Sequence, residues 1–128
     1  KLELPFLVAE SPSGQILGYA LVQPWAGKSA YRYTVEDSIY LGQAASGKGL
    51  GTALLSALIE ACENKGIREL VAVISDKGAE GSIRLHEKLG FTEVGRMGRV
   101  GFKFGRWLGT VYLQKSLKPK KKRGLFSR

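Results

Sequence analysis

The chain has 128 residues, 44% of them hydrophobic, which suits one globular domain with its own core. It has no run of 18 apolar residues and no signal-peptide pattern, so we expect no membrane span and a cytoplasmic location. With one cysteine and one histidine, it can build neither a disulfide framework nor a metal site.

The net charge of +9 is concentrated at the C-terminus. Residues 118–128 contain six lysines and arginines and no acid, so the remainder of the chain carries +3. Such a run predicts a solvated, disordered tail, and nucleic-acid binding is the less favoured interpretation. We therefore predict one domain over residues 1–117, followed by a basic tail.

Turn residues and hydrophobic periodicity predict the secondary structure. In chain order we expect strands at 5–9, 16–22 and 31–41, a helix at 50–64, a strand at 70–74, a helix at 82–89, and strands at 91–94 and 107–113. Residues 95–106, rich in glycine and arginine, are predicted to form a long loop between the last two strands. The only cysteine, Cys62, lies on the apolar stripe of the first helix, which predicts a buried, unreactive thiol. This order predicts an α/β (α+β) fold, with helices packed on a mixed sheet.

A glycine-rich turn between the third strand and the first helix carries the strongest functional signal. Gly47, Gly49 and Gly51 alternate with other residues, and backbone amides at such a helix N-terminus point at phosphate. A P-loop needs Ser or Thr where Gly49 stands, and a dinucleotide fingerprint needs Gly where Thr52 stands. The turn therefore predicts a phosphate-bearing ligand of another kind. A turn that caps the helix and binds nothing is the alternative.

Together with this turn, four segments resemble the GNAT superfamily of N-acetyltransferases. They are FLVAE at 6–10, TVE at 34–36, LHEKLGF at 85–91 and VGFKFGRW at 100–107. The closer resemblance is to the phosphinothricin/methionine sulfoximine N-acetyltransferase branch. It implies a mixed, mostly antiparallel central sheet flanked by helices, with two strands splayed apart at an acetyl-CoA site. Such proteins usually have a strand and two helices before the first of these segments, so we expect an N-terminally truncated chain.

The resemblance implies acetyl-CoA as co-substrate and no metal. Amides of the turn would hold the pyrophosphate, Lys48 would add a cation, and the strand before the turn would pair with the pantetheine arm. Ser46 and Ala79 stand where the family often has Arg or Gln and Asn, so the hold on the cofactor would rest on backbone amides. The implied cofactor-binding residues are Ile39, Tyr40, Leu41, Gly47, Lys48, Gly49, Leu50, Gly51, Thr52, Ser82 and Leu85.

Acetyl transfer to an amine requires a group that removes the proton of the amine. Glu36 is one candidate base, because a partly buried strand carboxylate has a raised pKa. His86 is the other candidate catalytic residue, able to protonate the departing thiolate or to assist as base. The sequence leaves the choice between them open. It also leaves open an exposed or ion-paired Glu36 and a purely structural His86.

The resemblance implies an enzyme that acetylates the amine of a small amino acid or analogue of the phosphinothricin or methionine sulfoximine type. Arginines suit the charged or tetrahedral groups of such an acceptor, and the candidates are Arg32, Arg96, Arg99 and Arg106. We take Arg32, Phe102 and Phe104 as the expected substrate-binding residues.

In the family, the segment that corresponds to residues 100–107 contributes to a homodimer. Gly109, just after it, stands where relatives often carry Asp. Two alternatives stay open. One is an acetyltransferase for a protein N-terminus or another amine. The other is a catalytically silent module that binds CoA or associates with nucleic acid.

Overall fold

A six-stranded mixed sheet carries two helices on one face in the computed structural model, which describes residues 3–43 and 49–118. The strands are β1 (Phe6–Glu10), β2 (Ile16–Pro24), β3 (Thr34–Leu41), β4 (Glu69–Ser75), β5 (Thr92–Lys103) and β6 (Arg106–Ser116). The helices are α1 (Leu50–Asn64) and α2 (Glu80–Lys88), and a short 3₁₀ turn covers Ser29–Tyr31.

The sheet order is β1-β2-β3-β4-β6-β5. Among the described strands, β3 and β4 pair in parallel and the other neighbours are antiparallel. The predicted order of elements and the mixed, mostly antiparallel sheet are therefore confirmed. Neither described helix combines the length and the apolar composition that crossing a bilayer requires.

Helix α1 begins and ends where the sequence predicts. Gly49 precedes its first residue with a φ of 76°, a left-handed conformation that glycine adopts without a steric penalty. The leucines of its apolar stripe and Cys62 are buried against the sheet. Burial, with the nearby negative charges of Asp37 and Glu63, raises the pKa of the Cys62 thiol to about 11. The buried, protonated thiol agrees with the expectation from the sequence.

The hydrophobic core lies between the two helices and one face of the sheet. Because side chains alternate along a strand, this face carries the buried residues of the central strands. They are Ala20, Val22, Val35, Leu70, Ala72, Ile74, Val111 and Leu113. We call the opposite side of the sheet the open face. On it the rings of Phe6, Tyr19 and Tyr40 stack in a row, with centroids 5.9 and 5.4 Å apart.

The prediction of a long loop over residues 95–106 is wrong. β5 continues to Lys103 and forms a hairpin with β6, which begins at Arg106. Between Met97 and Gly101 the register shifts, so that residues 98–100 lie opposite one residue of β6. The segment is therefore a strand with a β-bulge, in which Arg99 has a φ of 58°, and not a loop.

Smaller differences concern the ends of elements. The third strand begins at Thr34 and not at the predicted residue 31, because the 3₁₀ turn precedes it. The second helix begins at Glu80, two residues before the predicted Ser82. The last strand extends to Ser116, beyond the predicted 113. Residues 119–128, which include most of the predicted basic tail, lie outside the described part of the chain.

Candidate functional site

Strands β3 and β4 separate part-way along their length, and this opening is the centre of the candidate site. Their parallel pairing covers three residue pairs and ends at Glu36 and Val71. β2 continues to pair with β3 up to Leu41, and β6 with β4 up to Ser75. Beyond Glu36, the inner edges of the two strands are therefore not paired with each other. Backbone groups at such an edge are available to a ligand.

A cavity of about 280 Å³ occupies the opening. Its walls come from β3 beyond the last pair, from the C-terminal end of β4, and from α2. It is lined by Glu36, Asp37, Ser38, Ile39, Val73, Ile74, Ser75, Ala79, Ser82 and His86. The two candidate catalytic residues thus share one cavity. No group of three or more ligand-type side chains within the described residues could hold a metal ion.

Glu36 lies on the open face, at the last paired position of β3. Burial, with the negative charge of Asp37 added to it, raises the pKa of the Glu36 carboxyl. A carboxylate with a raised pKa is a stronger proton acceptor than an exposed glutamate. Glu36 can therefore take a proton from a group that enters the opening.

His86 is buried, with 2% of its surface exposed, and both of its ring nitrogens have partners. Nδ1 lies 2.8 Å from the carbonyl oxygen of Ser82. Nε2 lies 3.0 and 3.2 Å from the two carboxylate oxygens of Asp37. Because the carbonyl only accepts, Nδ1 must carry a proton, and a second proton must lie between Nε2 and the carboxylate.

The pKa of His86 is raised by its surroundings. Burial alone would lower the pKa, but the hydrogen bond and charge of Asp37, with the Ser82 carbonyl, outweigh it. These surroundings therefore favour the charged form of His86 more than water does.

Asp37 was not identified from the sequence. It is 7% exposed and lies on the core side of β3, between the inward positions of Val35 and Ile39. A charged residue at an inward position of an alternating strand is almost always paired. That exception to the alternation was the signal that could have found it.

A second cavity, of about 330 Å³, leads from the opening towards the N-terminus of α1. It is lined by Ile39, Leu41, Gly81, Ser82 and Leu85, and it shares Ile39 and Ser82 with the first cavity. The side chains of Leu41 and Leu85 also flank Gly51, where an added Cβ would lie 3.2 and 3.3 Å from them. Four of the predicted cofactor-binding residues therefore line one path from the opening to the helix.

The N-terminus of α1 presents backbone amides at the end of this path. The first helical hydrogen bond runs from the Ala53 amide to the Gly49 carbonyl, at 3.1 Å. The amides of residues 50–52 consequently have no acceptor within the helix. The first turn of α1 contains no acidic residue, so no carboxylate of that turn neutralises the partial positive charge at the helix N-terminus. This arrangement suits a phosphate group. Gly47 and Lys48 of the predicted cradle lie outside the described residues.

Four other expected site residues do not line the opening. The Tyr40 ring is on the open face, stacked on Tyr19, so only its backbone belongs to the edge of β3. Arg32 donates to the Ser29 carbonyl at 2.7 Å and lines a separate cavity. Phe102 and Phe104 lie at the tip of the β5–β6 hairpin and are 61% and 90% exposed.

A larger cavity, of about 550 Å³, lies on the open face beside Glu36. Thr34, two residues before Glu36, and Val71, which pairs with Glu36, both belong to its wall. The complete lining is Trp25, Tyr31, Thr34, Val71, Val94, Gly95, Met97, Tyr112 and Gln114. It is largely apolar, with hydroxyl and amide groups, and includes none of the four candidate arginines. The cavity suits a small ligand that reaches Glu36 from the side opposite the helices.

Comparison with known proteins agrees with this geometry. The model of the acetyltransferase (GNAT) family matches residues 2–91. The phosphinothricin N-acetyltransferase of Alcaligenes faecalis is 46% identical over 89% of this chain and 57% of its own length. The L-methionine sulfoximine/L-methionine sulfone acetyltransferase of Salmonella typhimurium is 46% identical over 91% of this chain and 67% of its own length. The chain thus spans about three fifths of the length of these relatives.

A solved structure is similar throughout the sheet and helices. The GNAT superfamily phosphinothricin acetyltransferase from Sinorhizobium meliloti, crystallised in complex with AcCoA, superposes with a TM-score of 0.84. It is 47% identical, and the match covers 89% of this chain and 61% of that one. The resemblance seen in the sequence is therefore confirmed, and the chain belongs to the GNAT acetyltransferase family.

Proposed function

We propose that this protein is an acetyl-CoA-dependent N-acetyltransferase whose acceptor is the amine of a small amino acid or amino-acid analogue. The observation that carries the proposal is the opening between β3 and β4. It shares Ile39 and Ser82 with the path to the helix N-terminus, and it contains Glu36, whose neighbours Thr34 and Val71 line the cavity on the opposite face. Two reactants can thus approach from opposite faces and meet next to one carboxylate. The names of the relatives, phosphinothricin and methionine sulfoximine acetyltransferases, support this acceptor class.

The described residues fit acetyl-CoA, which would supply an acetyl group activated as a thioester. The amides of residues 50–52, which have no acceptor within α1, suit its pyrophosphate. Ile39, Leu41 and Leu85 form an apolar wall for its extended arm, beside the unpaired edge of β3. Ala79 lines the opening but offers no hydrogen-bonding side chain. The hold on the cofactor therefore rests on backbone groups and apolar packing, and the S. meliloti relative was solved with AcCoA.

We assign the role of base to Glu36. Its carboxylate would accept a proton from the ammonium form of the acceptor, directly or through a water molecule, and so leave a neutral amine. Both nitrogens of His86 are engaged by Asp37 and Ser82, which makes His86 the less suitable proton carrier. Holding the amine against the acyl carbon would contribute an effective molarity on the order of 10⁵ M or more.

A thiol-release assay tests the proposal. The purified protein is incubated with acetyl-CoA and, in turn, methionine sulfoximine, phosphinothricin and common small amino acids, while free CoA thiol is measured. We expect thiol release that depends on both the acceptor and the protein. Binding of CoA without turnover of any small amine would contradict the enzyme assignment. Turnover of a peptide N-terminus in preference to every small amine would favour the alternative acceptor.

The proposal includes a cytoplasmic location, since the only cysteine is a free thiol. It also includes a homodimer formed through the β5–β6 hairpin. β5 is an edge strand, and the hairpin exposes a cluster of large apolar side chains. Its members, each about half exposed or more, are Val94, Met97, Val100, Phe102, Phe104 and Trp107. A patch of this kind on an edge strand usually marks an interface.

Replacing Phe102 by Ser is expected to weaken the dimer by about tenfold or more, because buried aromatic residues dominate such interfaces. Sedimentation velocity over a concentration series measures the change. Phe6→Ser is the matched control, since Phe6 is equally exposed, at 61%, but lies at the opposite edge of the sheet. A monomeric wild-type protein, or dissociation by Phe6→Ser alone, would contradict this interface.

A further inference from the structure

Asp37 and His86 make a buried contact that the proposed chemistry does not use directly. We propose that they form a positioning ion pair, which ties α2 to β3 where β3 leaves β4 and acts on the reaction through Glu36. In this role neither residue exchanges a proton with the substrates. The inference rests on the proposed function for its effect on catalysis, whereas the pair itself can be tested without turnover.

The pair joins β3 to α2 at the point where the β3–β4 ladder ends, while the other edge of β3 stays paired with β2. After Glu36, strand β3 no longer pairs with β4, and Asp37 is the next residue. From α2, the His86 ring crosses to Asp37 at 3.0 Å. The same ring meets the Phe91 ring edge-on, with centroids 4.7 Å apart, and its Nδ1 is bonded to the Ser82 carbonyl. The imidazole is therefore held by three contacts, which also fix the position of the α2 wall of the opening.

The hydrogen-bond geometry also specifies the protonation of the pair. Two acceptors face the two ring nitrogens, so the ring is an imidazolium facing a carboxylate, or a neutral ring facing a carboxylic acid. The raised pKa of His86, caused by Asp37 and Ser82 against the effect of burial, favours the ionic form. Loss of the Nδ1 proton would set a ring lone pair against the Ser82 carbonyl oxygen, and loss of the Nε2 proton would remove the hydrogen bond that the buried carboxylate accepts from the ring. Either loss is costly, which argues against proton delivery from His86.

The negative charge of Asp37 also affects Glu36, whose side chain lies on the opposite face of β3. It adds to the effect of burial in raising the pKa of Glu36, the adjacent residue. From α1, the Cys62 thiol faces Asp37 and stays protonated. From β4, the opening is lined by the uncharged Val73, Ile74 and Ser75.

On the open face, titratable groups of neighbouring elements lie around the larger cavity and at the start of β4. They are Tyr31, Tyr112 and Glu69. Asp37 is the charged group that contributes to the raised pKa of Glu36.

The variant Asp37→Asn removes the negative charge and keeps the hydrogen-bonded contact with His86. The Asn amide can donate to Nε2 while Nδ1 still donates to Ser82, so the tie survives as a neutral pair. Without the negative charge, the acid limb of the kcat/KM profile is expected to move to lower pH, with a plateau within about tenfold of wild type. Glu69→Gln is the matched control: it removes a carboxylate bonded to Gln114 and Ser116, and the acid limb should not move.

NMR of the histidine ring provides a readout that is independent of activity. The chain contains one histidine, so its ring signals in untagged protein belong to His86. In the wild type, the ring should stay doubly protonated above the ordinary pKa near 6.5. In Asp37→Asn, it should carry a proton at Nδ1 only at neutral pH. This measurement on the wild type decides the matter even if the variant does not fold.

Two results would overturn the inference. One is a His86 ring that titrates near 6.5 in both proteins. The other is a fall of about a hundredfold or more in Asp37→Asn at every pH with an unmoved acid limb, as expected if the imidazolium supplied a proton to the leaving group. A doubly protonated His86 in a protein that acetylates no amine would support the pair and contradict the proposed function alone.

Discussion

Glu36→Gln is expected to lower kcat/KM for acetyl transfer by about 10²–10⁴-fold while the protein stays folded. The amide has nearly the size of the carboxylate but cannot accept the proton of the acceptor ammonium. Because Glu36 must be ionised to act, wild-type kcat/KM should fall as the pH drops through its raised pKa, and this limb should be absent in the variant. Steady-state kinetics over a pH series measure both effects.

The deficit of Glu36→Gln should shrink as the pH rises towards the pKa of the acceptor amine, since solvent then removes the proton. This dependence distinguishes a lost base from a lost binding contact, which would produce a deficit constant with pH. Glu10→Gln, an exposed carboxylate at the end of β1, is the control and should retain wild-type kinetics. A loss smaller than tenfold in Glu36→Gln would refute the assignment of the base.

Gly109→Ala is expected to lower the free energy of unfolding by about 1–3 kcal/mol, through overpacking. A Cβ at this position would lie 2.5 Å from both Asp76 Oδ2 and the Met97 carbonyl oxygen. The Gly109 amide donates to Asp76 Oδ1 at 2.9 Å, and the Asp76 amide donates to the Gly109 carbonyl at 3.0 Å. Relief of the clash would therefore disturb the contact that holds the end of β4 to β6.

Urea unfolding of Gly109→Ala and of Gly98→Ala measures this effect. Gly98 belongs to the same bulged hairpin, but an added Cβ there meets nothing within 4 Å. Gly98→Ala should stay within about 0.5 kcal/mol of wild type. Equal stability of the two variants would show that the surroundings of Gly109 can relax. The resemblance had marked Gly109 only as a departure from a frequent Asp; in this chain, Asp76 already occupies that space.

Much of the fold could be predicted from the sequence because its signals are local. The periodicity and flanking glycines of α1 specify a helix that needs no distant partner to be recognised. The bulged hairpin could not be predicted in this way. Its glycines and arginines are typical of a loop, and only pairing with β6 makes residues 95–103 a strand. Strand pairing depends on which partner is present, and local composition does not encode that.

The same distinction applies to the candidate site, of which one part could be predicted from the sequence and another could not. The glycine turn, Glu36 and His86 could be singled out by residue type and by resemblance, and the structure places Glu36 and His86 in one cavity. The partner of His86 could not be foreseen, because Asp37 reaches it only when α2 packs over the separated end of β3.

The open-face cavity likewise needs side chains from four separate stretches of chain, brought together by the sheet. The sequence by itself therefore determined the order of the elements, the helix that starts at the glycine turn and the residue types available for chemistry. The tertiary structure decided which of those residues meet, since contacts between distant segments follow from strand order and helix packing, which no local pattern contains.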